Sequence, residues 1–104
     1  MTPPTGTVYF CKLIGPRPTF PMDMTPAEAE VMHQHVAYWQ GLMARGIAFA
    51  FGPVMDPSGP FGMCVVRVRD EAELNAIEAA DPVMVAKLGF RQEHYLMPKA
   101  IVRE

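Results

Sequence analysis

The segment Thr25-Pro26-Ala27-Glu28 carries the clearest local signal in the sequence, because it has the composition of a helix N-terminus. A threonine at the cap position accepts a hydrogen bond from the first turn, and proline suits the first helical residue. A glutamate three residues after the cap completes a capping box. We therefore predict a helix from residue 26 to about residue 45, which ends at Gly46 in the left-handed conformation common after helices.

An apolar stripe on this helix indicates the face that packs against the rest of the protein. Spacings of three and four residues place on that face Ala27, Val31, His35, Tyr38 and Leu42. The polar residues fall mostly elsewhere and are expected to meet water, namely Glu28, Glu30, Gln34 and Gln40. The stripe thus brings one imidazole, that of His35, to the inner side of the helix.

The segments around this helix predict an α+β fold. Runs of apolar, β-branched and aromatic residues predict strands at 7–14, 47–54, 61–69 and within 90–102. Asp70 is expected to cap a second helix that runs to about residue 80, and Asp81 with Pro82 starts a further helical turn. The resulting order, β-α-β-β-α-β, is that of a ferredoxin-like sandwich with its helices on one face of the sheet.

The predicted sheet has apolar side chains on both faces, although the helices cover only one. The first strand, residues 7–14, is apolar on both of its alternating sets of side chains. Soluble monomers avoid large exposed apolar patches. We therefore expect a homodimer in which the two sheets pack face to face.

Composition and cysteine usage narrow the class of protein. The 104 residues suffice for a single domain over 1–104, with a loose tail at 1–6. A net charge of −2 without a basic stripe argues against a nucleic-acid partner. No apolar run approaches the ~20 residues that cross a bilayer, and the N-terminus does not resemble a signal peptide. We therefore expect a cytoplasmic protein without a membrane partner. Cys11 and Cys64 lie in apolar runs, which favours buried free thiols over a disulfide.

The histidines are the first candidates for chemistry. His33 and His35 are two residues apart and so point about 200° from each other on a helix, which argues against a shared metal ion. His33 is expected to be solvated, and His94 is expected to have a surface role. His35 must find a hydrogen-bond partner on its apolar face, either a backbone carbonyl or a carboxylate that orients it as a general base near neutral pH.

Asp81 is the carboxylate that we choose for His35, since the two helices lie on the same face of the sheet and Asp81 stands at the end of the second. Its alternative role is that of a helix N-cap. The glutamates are expected on exposed faces. Arg17 lies in a loop that follows the first strand, and it is either a site for an anionic substrate group or an ordinary exposed arginine. No serine elbow, phosphate loop or dinucleotide motif occurs, so we expect no cofactor and no metal.

An ordered set of short motifs resembles the YCII-related domain proteins from about residue 7 to 98. It consists of Gly15-Pro16-Arg17-Pro18, Thr25-Pro26-Ala27-Glu28, His35-x-x-Tyr38, Gly46, Gly52-Pro53, a turn with Asp56 and Gly59, and Asp81-Pro82. The resemblance implies a small bacterial protein, a dimeric α+β barrel of ferredoxin-like subunits, and an active site built from His35 and Asp81. A few members of that family are associated with dehydrochlorination of chlorinated hydroquinones. The wider barrel superfamily includes muconolactone isomerases and heme- or quinol-acting oxygenases.

Two functions are compatible with these residues. The first is a cofactor-independent isomerase or dehydrochlorination-type lyase, in which His35 abstracts a proton next to a carbonyl or hydroxyl of a small, for example aromatic, substrate. Asp81 would orient His35 at ~2.6–3.2 Å, and the other ring nitrogen would face a pocket bounded by the loop around Arg17. The second is a non-catalytic dimeric module for a small ligand or partner, with the His35–Asp81 contact purely structural. A heme or metal protein is disfavoured, because only one buried histidine is expected.

Overall fold

The computed structural model describes residues 6–103, which form one antiparallel sheet and three helices. The elements are β1 (Thr7–Ile14), α1 (Pro26–Ala44), β2 (Ala48–Val54), β3 (Phe61–Val68), α2 (Glu71–Ala80), α3 (Pro82–Val85) and β4 (Arg91–Leu96). The strand order is β2-β3-β1-β4, with every neighbouring pair antiparallel. This confirms the predicted α+β class and ferredoxin-like order. The predicted loose tail falls almost wholly on residues 1–5, which lie outside the described residues.

Helix α1 begins as its sequence predicts. The backbone N–H of Glu28 donates to Oγ1 of Thr25 at 3.1 Å, and the backbone N–H of Thr25 donates to the Glu28 carboxylate at 2.9 Å. Proline occupies the first turn, and Gly46 follows the helix at a φ of 78°. The complete capping box fixes the start of α1 and therefore the rotation of every later side chain about its axis.

The packed face of α1 includes four of the five residues of the predicted stripe, namely Val31, His35, Tyr38 and Leu42, and differs from it at the start of the helix. Ala27 is exposed, whereas Glu28, Trp39 and Leu42 are the buried residues of the helix. The expectation that Glu28 meets water is therefore wrong, and the reason is an ion pair with Arg17 that compensates its burial. The other polar residues of the helix that were expected to meet water are exposed, namely Glu30, Gln34 and Gln40.

The core lies between the helices and one face of the sheet. Tyr9 and Cys11 of β1 contribute to it, as do Val66 and Val68 of β3. Cys11 lies directly opposite Cys64 on the neighbouring strand, and both thiols are buried and free, as predicted. Burial between the helices and the sheet accounts for thiols that behave as small apolar groups.

The opposite face of the sheet is also largely apolar. Alternation along the strands directs Phe10, Ile14 and Val65 to this outer face, and each of them is partly exposed. The ammonium group of Lys12 lies 4.7 Å from the ring centroid of Phe61 and covers part of the same surface. The helices therefore leave one apolar sheet face without a covering element, as the sequence predicts.

Candidate active site

Asp81 is a fully buried carboxylate at the junction of α2 and α3, and several donors converge on it. Nδ1 of His35 lies 2.9 Å from both carboxylate oxygens. Nε1 of Trp39 donates to Oδ2 at 2.7 Å, and the side-chain amide of Gln92 donates to the same oxygen at 3.2 Å. The backbone N–H of Val83 donates to Oδ1 at 3.1 Å. One carboxylate thus links α1, α3 and β4.

The two roles considered for Asp81 occur together. Its Oδ1 accepts a hydrogen bond from the backbone N–H of Val83 and so caps α3. Pro82, the first residue of that helix, has no backbone N–H that would need an acceptor. The same side chain holds His35 across the helix interface, 46 residues away in the sequence. A cap fixes the carboxylate on a short rigid turn, and this rigidity is what a carboxylate needs to orient an imidazole.

The predicted contact between His35 and Asp81 is confirmed in geometry. A carboxylate accepts hydrogen bonds, so Nδ1 of His35 carries the proton and Nε2 keeps a free lone pair. Nε2 makes no hydrogen bond to any residue between 6 and 103. The His35 side chain is 14 % exposed, and its partner is a carboxylate rather than a backbone carbonyl. His33 is exposed, as predicted.

Two members of the site, Trp39 and Gln92, escaped the sequence analysis. Trp39 follows His35 by four residues, so it lies on the same helix face, and a buried indole N–H requires an acceptor. That spacing was the available signal. Gln92 pairs with Leu13 in the register between β1 and β4, and this register cannot be read from an isolated strand segment.

A cavity of about 440 Å³ lies beside His35, between α1 and the sheet. Most of its wall is apolar or aromatic, with contributions from Phe20, Met32, Trp39, Phe51, Phe61 and Phe90. Its few polar or charged lining residues include His35, Glu78 and Gln92. This volume and character suit a small organic molecule that is held by apolar contacts and oriented by a few polar groups.

Arg17 contacts two carboxylates and does not line the cavity. Its Nη1 and Nη2 donate to the two oxygens of Glu28 at 2.7 and 2.8 Å, and its Nε donates to Asp23 at 2.9 Å. The guanidinium lowers the pKa of Glu28 to about 2, and the two carboxylates raise the pKa of Arg17. Arg17 therefore ties its loop to the start of α1, while other residues of the loop, such as Phe20 and Met24, border the cavity. Binding of an anionic substrate group by Arg17 stays a prediction.

The sequence predicts a surface role for His94, but the structure shows that this side chain is largely covered. Only 17 % of it is exposed. Nδ1 lies 2.9 Å from Oε1 of Glu78, and Nε2 lies 2.9 Å from Oε2 of Glu71. Burial lowers the pKa of His94, but the hydrogen bonds to Glu71 and Glu78 outweigh it and leave that pKa raised. The expectation that the glutamates lie on exposed faces is wrong for Glu78, because a partner on β4 compensates its burial.

The described residues meet neither the requirements of a membrane-spanning helix nor those of a metal site with three or more such ligands. No helix within residues 6–103 combines the length and the apolar character that crossing a membrane requires. In the same part of the chain, no group of three or more His, Cys, Asp or Glu side chains is arranged to hold a metal ion.

Comparison with known proteins adds the family. No curated protein matches the sequence significantly. The family model of the YCII-related domain matches residues 8–95, a span that begins in β1 and ends in β4 and includes both His35 and Asp81. Since the match covers most of the 104 residues, the chain belongs to the YCII-related domain family.

Proposed function

We propose that this protein is a cofactor-independent isomerase or lyase in which Nε2 of His35 removes a proton from a small substrate bound in the cavity. The observation that carries the proposal is the contact of Nδ1 of His35 with the buried Asp81 at 2.9 Å. It leaves the opposite ring nitrogen as a free base on a side chain that lines the cavity. An imidazole with one nitrogen held and the other free is the usual general base of enzymes.

Asp81 contributes to this reaction through His35. Its hydrogen bond holds the ring in one tautomer and one orientation, so the lone pair of Nε2 stays directed away from the carboxylate. When His35 takes up the proton, the imidazolium cation lies against the carboxyl group of Asp81, whose oxygens accept its N–H and stabilise the charge formed in the step. Asp81 is therefore a positioning residue, and His35 is the residue that would touch substrate.

The apolar wall of the cavity favours the proton abstraction. A substrate that fills the space between Phe20, Phe51 and Phe90 displaces water, and a lower local polarity strengthens the interactions of the remaining polar groups. A proton on the carbon next to a carbonyl group is the one that a neutral imidazole can remove, because the electron pair left behind moves onto the carbonyl oxygen. The product is then an isomer, or an alkene when a leaving group departs.

We further propose that the protein is a homodimer that covers the outer face of its sheet. Phe10, Ile14 and Val65 lie on that face and are partly exposed in the single chain. Burial of such a face against its own copy yields a self-complementary interface with two-fold symmetry. The helices and the cavity lie on the other side of the sheet, so association leaves the layer that contains His35 in place.

Deuterium exchange tests the proton abstraction without knowledge of the natural substrate. The protein is incubated in D₂O with cyclohexanone, acetophenone and 2-cyclohexenone, and NMR follows the loss of the C–H signals next to each carbonyl. We expect exchange that falls by ~10²–10⁴ in His35→Gln, the usual effect of a general base. The matched control is His33→Gln, since His33 is exposed and two residues away. Exchange that is equal in both variants contradicts the proposal.

A non-catalytic ligand-binding module is the second candidate function. It is favoured by the three other donors on Asp81, namely Trp39, Gln92 and Val83, because they make the carboxylate a structural link whether or not catalysis occurs. Ligand-observed NMR with the same three ketones separates the two functions. Binding without exchange, unchanged in His35→Gln, indicates a binding module.

A further inference from the structure

A second cluster of titratable groups leads from the cavity wall to the protein surface. Glu78 of α2 lines the cavity, and its Oε1 lies 2.9 Å from Nδ1 of His94. Nε2 of His94 lies 2.9 Å from Oε2 of Glu71, which precedes Glu78 by about two turns of α2. The exposed fractions of the side chains rise along this path, from 12 % for Glu78 through 17 % for His94 to 62 % for Glu71. The three groups therefore connect a mostly buried carboxyl group to solvent.

The helix and the strand that carry these groups explain the alignment. Glu71 and Glu78 are seven residues apart, which is close to two full helical turns, so both project from the same face of α2. His94 of β4 lies between them, and the ring of Tyr9 packs edge-on against the imidazole with centroids 5.3 Å apart. An imidazole held at both nitrogens and against a ring keeps one orientation, and it can pass a proton from one nitrogen side to the other.

One oxygen of the inner carboxyl group lacks a partner. Oε2 of Glu78 is buried and makes no hydrogen bond to any of residues 6–103, and Oε1 of Gln92, also in the cavity wall, is in the same condition. A buried acceptor without a donor is costly, so such an atom calls for an explanation. A proton on Glu78 converts its oxygen from an unsatisfied acceptor into a donor available to a molecule in the cavity.

The charges around Glu78 favour that proton. Burial raises the pKa of Glu78, the hydrogen bond from His94 opposes this in part, and the carboxylates of Asp81 and Glu71 raise the pKa further. The thiol of Cys64 on β3 faces the same region, and its own pKa is raised, so it adds no negative charge. Among the groups that shift the pKa of Glu78, His94 is the one that lowers it, and its imidazole is also the group that can supply a proton.

We infer that Glu78 is the proton donor of the cavity and that Glu71 and His94 form the relay that recharges it from solvent. This inference rests on the proposed function, in which His35 is the base. The substrate loses a proton to Nε2 of His35 and gains one from Oε2 of Glu78, at the oxygen or leaving group that receives the electron pair. Glu78 then takes a proton at Oε1 from Nδ1 of the His94 imidazolium, which becomes a neutral ring with its proton on Nε2. Tautomerisation of that ring to the Nδ1–H form frees Nε2 to take a proton from solvent by way of Glu71, and rotation of the Glu78 carboxyl group brings its new proton to the Oε2 position.

The inference also restricts the substrate class. The atom that receives the proton must be a hydrogen-bond acceptor, such as a carbonyl oxygen or a departing group. A carboxylate substrate would bring a negative charge into a mostly apolar cavity that is lined by Glu78, and Arg17 does not line that cavity to offset it. We therefore expect uncharged, mostly apolar substrates in the cavity, in contrast to the anionic group considered for Arg17.

An apolar carboxyl reagent tests the state of Glu78 directly. Dicyclohexylcarbodiimide adds to a protonated carboxyl group, without a by-product, and rearranges to a stable N-acylurea that mass spectrometry locates in a peptide. We expect the label on Glu78 in the wild-type protein, with a yield that falls as rising pH removes the proton. His94→Gln removes the cation beside Glu78, so the label should persist to higher pH. Glu30→Gln is the matched control, because Glu30 is exposed and its carboxylate accepts a hydrogen bond from Gln34 on the same helix.

The outer half of the relay is tested by the titration of His94 in NMR spectra. Glu71→Gln should shift the midpoint of that titration to lower pH, because it removes one of the two carboxylates that stabilise the cation. Absence of label on Glu78 at every pH at which the protein is folded overturns the inference. So does a label whose pH profile is the same in His94→Gln, or a His94 midpoint that Glu71→Gln leaves in place. A structural ion pair would keep Glu78 ionised and unlabelled.

Labelling of Glu78 and deuterium exchange test the proton donor and the base separately. Labelling needs no turnover and does not involve His35, so His35→Gln should label on Glu78 as the wild type does. Deuterium exchange depends on His35 in the first place. If exchange is lost in His35→Gln but Glu78 is never labelled, His35 is the base and Glu78 is not the proton donor. If Glu78 is labelled as expected but exchange is unchanged in His35→Gln, the relay is supported and His35 is not the base.

Discussion

Trp39 and His35 donate to the same oxygen of Asp81, at 2.7 and 2.9 Å respectively. They are four residues apart on α1, so one turn of helix presents an indole and an imidazole to one buried carboxylate. The shorter contact belongs to the residue without acid–base chemistry. Trp39 therefore helps to fix the carboxylate in place, and His35 is held by a carboxylate that is already anchored. This difference allows structure and catalysis to be separated by mutation.

Asp81→Asn should reduce both stability and exchange. An asparagine has a single side-chain acceptor oxygen, so part of the set formed by His35, Trp39, Gln92 and Val83 is left facing an amide NH₂ group. Buried donors without acceptors cost about 1–3 kcal/mol each, which urea denaturation would record as a lower midpoint. The deuterium exchange assay should show a loss as large as that of His35→Gln.

Trp39→Phe is the matched variant for that prediction. It removes one donor from Oδ2 of Asp81 but keeps an aromatic ring and leaves His35 in contact with the carboxylate. We expect a loss of about 1–3 kcal/mol of stability, typical of a hydrogen bond to a charged group, and exchange close to that of the wild type. If exchange falls in step with stability in both Trp39→Phe and Asp81→Asn, the contact between His35 and Asp81 is structural.

Thr25→Ala should destabilise the protein by about 1 kcal/mol, because the backbone N–H of Glu28 loses its acceptor at the start of α1. Thr25→Ser keeps the hydroxyl group and should retain most of the stability. Thermal or urea unfolding measures both. Equal stability of the alanine and serine variants would mean that the cap contributes nothing, and that packing alone sets the start of the helix.

Much of the architecture was predictable because its signals are local. The capping box of Thr25 and Glu28, the strand at 7–14 and the proline after Asp81 each act within a few residues. The burial of Glu28 was not predictable from the helix pattern, since its partner Arg17 comes from a loop outside the helix.

The residues of the site were likewise predictable where their signals are local and not where they depend on packing between elements. His35 and Asp81 were found because a polar residue on an apolar stripe needs a partner, and one aspartate stood at the right helix end. The contact of His94 with Glu71 and Glu78 was missed, because it depends on how β4 lies beside α2, and the partners are 23 and 16 positions apart in the sequence. Gln92 was missed for the same reason. Pairings across elements follow from register and packing, which no short motif in this chain specifies.

The outer face of the sheet predicts the state of association. We expect sedimentation equilibrium to give twice the mass of one chain. Val65→Asp places a carboxylate on the face that we propose is buried between copies, at a cost of several kcal/mol, and should yield monomers. Val66 is fully buried on the inner face, so it is not the position to change. Val85→Asp is the control, since Val85 is 64 % exposed on α3 and should leave the dimer intact. A wild-type protein of one-chain mass contradicts the proposal.

The ion pair of Arg17 and Glu28 predicts how stability depends on acid. The pKa of Glu28 is about 2 in the folded protein, below the ~4.3 of a free glutamate, because the guanidinium binds its ionised form. Between these two values the unfolded chain binds more protons than the folded one, so this contribution to stability is complete above pH ~4.3 and is lost as the pH falls toward 2. Glu28→Gln should be less stable than the wild type at neutral pH, with a difference that narrows on acidification. Urea midpoints measured at several pH values give the result. The urea midpoint of Glu30→Gln, on the exposed face of the same helix, should depend on pH as that of the wild type does. If the midpoint of Glu28→Gln also follows the wild type at every pH, the ion pair does not contribute to stability.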